Sequence, residues 1–348
     1  MSFVRKSVVA LIAWALLVSP ALAQGKWTKL APFPDPSEEL LGASSGGKMY
    51  VFCGLAPGWV PKGLVYEYDP ASDKWAKKKP MALPSHHVAF AELKGKIYAF
   101  GGFVLPPKGQ PPAWVPIDNA WEYDPANDSW KALAPMPTKR GSPVAVAVGD
   151  KLYVIGGAVP GPGQPAVHPA RPHTSVGAVE EYDPASNTWR ARAPMPTPRN
   201  HAVGGAINGK IYVASGRVGA AFISGGSSNI GVIEAYDPAS DSWSQGLARM
   251  AQARSAGAGA AYGGKLYVTG GEYQDPGTMS TYRSLEAYDP ATNSWQTLAP
   301  MPVSRHGLAG AVVGSRLHMV SGDVQSAGTG VHVDTEEHDA YDLEGGKK

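Results

Sequence analysis

Apolar and polar positions along this chain form short bursts that recur in a fixed order. Residues 141–196 show the pattern most plainly: "GSPVAVAVGD", then "KLYVIGG", then, after a variable stretch, "AVEEYDP", and finally "SNTWRARAPMP". The first burst is small and apolar. The second is β-branched and aromatic and ends in two glycines; the third ends in Tyr-Asp-Pro, and the fourth carries a tryptophan. Short apolar runs bounded by Gly, Pro, Asn and Asp predict strands, and four in succession predict an antiparallel four-stranded sheet. The strands are labelled a to d in chain order.

The unit repeats. "DPASDKW" (69–75) returns as "DPANDSW" (124–130), "DPASNTW" (183–189), "DPASDSW" (237–243) and "DPATNSW" (289–295). An Asp-Pro pair opens a tight c–d turn, because the carboxylate accepts from nearby backbone N–H groups and proline presets φ. The Asn or Asp that follows tolerates the turn's unusual dihedrals, and the tryptophan then starts strand d with its ring between neighbouring sheets. The glycines ending strand b (Gly101-Gly102, Gly156-Gly157, Gly270-Gly271) become Cys53-Gly54, Ser215-Gly216 and Ser321-Gly322 in the other units.

The turn aspartates stand at 69, 124, 183, 237, 289 and 342, and the sixth unit ends at "YDLEGGKK" without its tryptophan strand. That strand is found at the other end: "KWTKLAPFP" (26–34) matches "WKALAPMP" (130–137). The pattern predicts a ring of six sheets in which the first strand completes the last sheet, which removes an open edge.

Paired glycines after strand b, a tyrosine six or seven residues before the tryptophan, and a period near 50 residues resemble the kelch motif of β-propellers from about Lys26 to Leu343. The resemblance implies an all-β, six-bladed kelch propeller with four antiparallel strands per blade. It also implies a channel lined by strands a, and one face carrying the d–a corners together with the b–c loops. It says little about activity, because such propellers include binding adaptors, sugar mutarotases and copper oxidases.

Composition adds the compartment. "MSFVRKSVVALIAWALLVSPALAQ" has Arg5 and Lys6, an apolar run from Val8 to Val18, and "ALA" at 21–23. It reads as a secretory signal cleaved after Ala23, the run being short for a membrane span. The expected organisation is thus a signal peptide at 1–23, a propeller at 24–343 and a tail at 344–348, in an exported (periplasmic or secreted) protein with no membrane insertion after cleavage. Without Arg5 and Lys6 the 31 basic residues balance the 29 acidic ones, so no global field favours nucleic acid. Cys53 is the single cysteine, so no internal disulfide is possible.

Aligning the d–a corners on the first residue of strand b places Ser37, Ser85, Arg140, Arg199, Arg254 and Arg305 at one position. The next carries Glu38, His86, Gly141, Asn200, Ser255 and His306, and the one after it Glu39, His87, Ser142, His201, Ala256 and Gly307. Two readings of the arginines follow. They bond backbone carbonyls as struts, or they form an anion cradle, since guanidinium forks match carboxylates and phosphates. On the second reading Arg140, Arg199, Arg254 and Arg305, with His86, His201 and His306, bind a small anionic or carbohydrate ligand. Trp59 and Trp114, loop rings expected to bury little, supply a stacking platform. Tyr273 and Tyr282 are weaker candidates of the same kind.

Glu39 and His87 come from adjacent corners and are the candidate acid–base pair. Galactose oxidase-type copper enzymes have similar propellers, but no tyrosine occupies any of the six corner positions here, so that copper site is not expected. A simpler metal site from Glu39, His86, His87 and His306 lacks a spacing signature; no metal and no cofactor are expected. "HPARPH" (168–173) and "HVDTEEH" (332–338) contain metal-friendly residues but read as solvated loops, and "GGSSNIG" (225–231) as a flexible one. The sequence therefore predicts a monomeric binding module for an anionic or carbohydrate-like ligand or a protein partner. The alternative is a carbohydrate-active enzyme, such as a sugar mutarotase, a type that occurs in kelch-like form for sialic acid.

Overall fold

The computed structural model describes residues 25–345 apart from 112, 169–171, 224–225, 276 and 330. The expected signal peptide lies outside them, as do residues 346–348. Six antiparallel sheets, each ordered a-b-c-d, form a ring, as the repeat predicts. In blade 3 these strands are Val144–Val148, Lys151–Ile155, Val179–Asp183 and Thr188–Arg192. Blade 5 carries one further short strand, Met279–Thr281, paired to the extended end of strand b. Blade 6 takes Ala309–Val313, Arg316–Val320 and His338–Asp342 from the C-terminal end, and Trp27–Lys29 from the N-terminal end. Trp27 pairs with Tyr341 in that closing contact.

The repeated turn is also the joint between blades. In five blades the tryptophan pairs across the c–d hairpin with the tyrosine of strand c, as Tyr182 does with Trp189. The Tyr182 hydroxyl donates to Asn187 over 2.7 Å, and the same Asn187 oxygen accepts the Ala134 N–H of the preceding blade over 2.8 Å. Asp73, Asp128, Asp241 and Asn293 repeat both bonds in their own turns. All five sit at positive φ, near +50°, where Asn and Asp are the best-tolerated side-chain-bearing residues. Each strand d tryptophan Nε1, Trp27 included, donates to a carbonyl of the preceding blade. So the turn is repeated because each copy fastens one blade to the last.

Strands a crowd around the axis, which explains their small residues. A Cβ on Gly42 would stand 2.6 Å from the Gly310 carbonyl oxygen of the neighbouring blade. The core lies between sheets, in clusters such as Val144, Val146, Ile155, Val179 and Tyr236 with Trp243 against them.

Candidate functional site

The d–a corners meet at one end of the axis. Glu39, His87, Ser142, His201, Ala256 and Gly307 all adopt the left-handed backbone conformation, with φ between +52° and +58°. Their peptides bond from blade to blade: Ser142 N–H to His87 O, His201 to Ser142, Ala256 to His201, and Gly307 to Ala256, with Leu40 N–H closing onto Gly307 O at 2.9 Å. These bonds constrict the channel and hold the side chains around a well. Holding five side-chain-bearing residues left-handed costs roughly 1–3 kcal/mol each, strain that persists only where the surroundings fix it.

Within the well, His87 Nε2 lies 3.1 Å from Glu39 Oε2, so the structure brings the expected acid–base pair together. Burial pushes the Glu39 carboxyl up, but His87, with help from His306 and His86, more than offsets this and holds it at about 2. The His86 and His87 Nδ1 atoms are 2.5 Å apart, and His201 is 4.7 Å from His87, ring centre to ring centre. Burial keeps His86 and His201 well below the usual histidine range, aided by the neighbouring His87 ring for the first and by Arg217 for the second. His306 is fully buried with neither ring nitrogen hydrogen-bonded; burial opposes its charge, yet Glu272, Glu38 and Glu39 raise its pKa.

The four corner arginines do not reach this well. Arg140, Arg199, Arg254 and Arg305 are 0% exposed. Each fork closes on an acid of its own blade: Glu180 at 2.7 Å, Glu234 at 2.6 Å, Glu286, and Asp339 at 2.7 Å. The expected anion cradle is corrected accordingly, and the strut reading describes them, with the blade's own acid as chief partner. The signal was present in the sequence. The acid always stands two residues before the strand c tyrosine, and the two blades with Ser37 and Ser85 carry Tyr66 and Trp121 there instead.

The arginine of the mouth is Arg217, which the corner alignment missed. It follows Ser215-Gly216 directly and donates to Glu272 Oε1 and to His201 Nε2, each over 3.0 Å. The residue after the second glycine lies beside the d–a corner in every blade: Leu55, Phe103, Ala158, Arg217, Glu272 and Asp323. One half of the mouth is therefore apolar and the other charged, and aligning on the glycines would have shown it.

Trp114 belongs to the apolar half. It is only 6% exposed, packed with Phe103, Ala158 and Val167, and its ring centre is 4.8 Å from that of His87. Trp114 itself pairs with Val167 of the next blade's loop across an isolated bridge. The expectation of a little-buried loop ring is thus corrected for Trp114, which roofs the histidines. Trp59 is half-buried and meets Trp114 edge-on at 5.7 Å. Tyr282 lies under the Arg254 guanidinium rather than in the mouth.

The loop "HVDTEEH" is corrected as well: His332 Nδ1 lies 3.0 Å from Glu38 Oε1, so this stretch is tied to the mouth. In "GGSSNIG", residues 226–229 pair as a strand with the segment after Arg217.

The Kelch motif family model matches residues 84–137, 139–196, 198–246 and 253–302, more than half the chain. The chain belongs to the kelch-repeat family of β-propellers. Kelch-like protein terF of Aspergillus terreus is 27% identical over 62% of this chain and 45% of its own length. Kelch-like protein 25 of Xenopus tropicalis is 30% identical over 59% and 32%, respectively. The chain thus spans under half the length of these relatives. A solved structure described as that of YjhT superposes with a TM-score of 0.69 over 89% of this chain and 96% of its own, at 16% identity, a likeness of fold.

Proposed function

We propose that this is an exported binding module that takes a protein partner on the face formed by its b–c loops and d–a corners. One observation carries the reading. Among the described residues, the large apolar side chains left exposed are Val60, Leu105, Met279, Val331 and Val333; four stand in connections between strands b and c, and Val60 opens strand c directly after such a connection. Apolar groups gathered on one face of an otherwise polar surface mark contact sites. The charged half of the mouth, with Arg217, Glu272 and Asp323, supplies directional bonds beside that apolar rim. A small anion finds no cradle here, since the corner arginines are committed within the blades.

The test uses the chain from Gln24 as bait against the proteins of the exporting cell's envelope and medium. Leu105→Asp with Val331→Asp should abolish capture of a partner that Lys94→Ala, at an a–b turn on the opposite end, still binds. Capture unchanged by the rim substitutions would refute the reading. Mass analysis of the exported product should find Gln24 at its N-terminus.

A second reading, a sugar mutarotase or epimerase, is favoured by the 3.1 Å contact of Glu39 with His87 in the well. The ionised Glu39 carboxylate, held by His87 through one oxygen, takes the anomeric hydroxyl proton with the other and returns it to the ring oxygen as that C–O bond opens. Anomer exchange of reducing sugars, followed by NMR, should then accelerate with this chain and fall to the background rate in Glu39→Gln.

A further inference from the structure

The seam between blades 6 and 1 holds a second cluster, apart from the acid–base pair of the well. Glu38 starts strand a of blade 1, Asp323 follows the Ser321-Gly322 pair of blade 6, and His332 and Asp334 lie on the returning arm of the same b–c loop. His332 Nδ1 is 3.0 Å from Glu38 Oε1 and 3.4 Å from Asp323 Oδ2, and the three ligand atoms all lie within 4.8 Å of one another. Asp323 is 0% exposed. Its Oδ1 accepts from the N–H groups of Gln325 and Val333, while its buried Oδ2 has no hydrogen-bond donor.

Asp334 adds a third carboxylate. It pairs with Asp323 across an isolated bridge, and its Oδ1 is likewise buried without a donor. Burial, then the charges of Glu38 and Asp323, push its carboxyl up to about 6. Opposing them, the Glu38 bond and these acids raise the His332 ring to about 9 against the effect of burial. Nearby Lys62 is ion-paired with Asp35. Three carboxylates converge on one imidazole, and two buried oxygens lack the donors that buried oxygens otherwise have.

The geometry points to a divalent-cation site formed by Glu38, Asp323 and His332, with Asp334 completing its acidic wall. Two ligands bound at about 2.1 Å stand roughly 3.0 Å apart along an octahedral edge and about 3.4 Å along a tetrahedral one. The two distances from His332, 3.0 Å to Glu38 and 3.4 Å to Asp323, fall at these values. One nitrogen among carboxylate oxygens suits Mn²⁺ or Zn²⁺ better than Mg²⁺ or Ca²⁺, which prefer oxygen alone. An ion there would clasp the blade 6 loop to blade 1 at the seam where Gly322 N–H already bonds Ser37 O. It would also hold Val331 and Val333, on either side of His332, in place. The inference does not depend on the partner-binding reading.

The test is calorimetric titration of the EDTA-treated, desalted mature chain with MnCl₂ and ZnCl₂ separately, alongside melting curves. One ion per chain should bind and raise the melting temperature. Asp323→Asn retains the Oδ1 acceptor for both backbone donors and should fold as before, while binding the ion about tenfold more weakly or worse. His332→Gln, at a third-exposed side chain, should do the same. Absence of saturable binding of either metal at millimolar concentration overturns the assignment. So does binding that survives both substitutions, since the ion would then sit elsewhere, for instance among Glu39, His87 and His201.

Discussion

Arg199 Nη1 donates to Glu234 Oε2 over 2.6 Å inside blade 4, with both side chains sealed from solvent. Its Nη2 donates to the Val213 carbonyl over 2.8 Å. One guanidinium therefore ties a d–a corner to strands b and c of its blade. Three other blades repeat the device, and blades 1 and 2 replace it with serine and an aromatic residue.

Removing one member of a buried ion pair strands the other charge. Arg199→Ala should lower unfolding stability by about 3–5 kcal/mol in urea titrations. Adding Glu234→Tyr to Arg199→Ser, after the Ser37 and Tyr66 arrangement of blade 1, should recover much of the loss. If Arg199→Ala leaves stability unchanged but weakens an anionic ligand, the strut assignment is wrong.

Deleting residues 24–34 removes Trp27, which pairs with Tyr341 and donates to Ala299 O, and Phe33, which is fully buried against Tyr66 and Trp75. The exposed edge of strand His338–Asp342 should make the truncated chain aggregate on size-exclusion chromatography. A monomeric product with unaltered melting would contradict closure by the N-terminal strand.

Trp114→Ala should cost about 3–5 kcal/mol, because its ring fills an apolar cluster over the histidines. Trp59→Ala should cost under about 1 kcal/mol, since that ring is half-exposed at the rim. The comparison is made by thermal unfolding; equal losses would place both rings in one environment.

His318 Nδ1 lies 3.0 Å from His338 Nε2, and His338 Nδ1 donates to Ala31 O over 3.2 Å, a chain that breaks if both rings are charged, because the nitrogen-to-nitrogen bond needs one acceptor. Burial lowers His318 to about 4, helped by Arg316, and lowers His338 to about 3, helped by His318. Between those values and the unfolded value near 6.5, the unfolded chain binds protons that the folded chain refuses. Stability is thus full above about pH 6.5 and falls on acidification toward pH 4, by roughly 1.4 kcal/mol per pH unit for each histidine. His338→Gln should flatten this part of the pH profile of the melting temperature; an unchanged profile would show that the pair does not govern it.

Sequence alone determined the number of blades, the strand order and the closure, because these rest on local signals repeated at a fixed period. The Asp-Pro turn, the paired glycines and the tryptophan each act within a few residues of themselves. It also placed Glu39 beside His87, since corners at the same register of adjacent blades must meet at the axis. The direction of a long side chain is not local. Whether Arg199 turns into the well or into its blade depends on Glu234, 35 residues later, and that acid decides it. Trp114 is buried because a loop of the next blade pairs with it at Val167, and His332 meets Glu38 only because the ring closes. A buried charge goes where its counter-charge and hydrogen-bond partners are, and only the closed tertiary structure says where those stand.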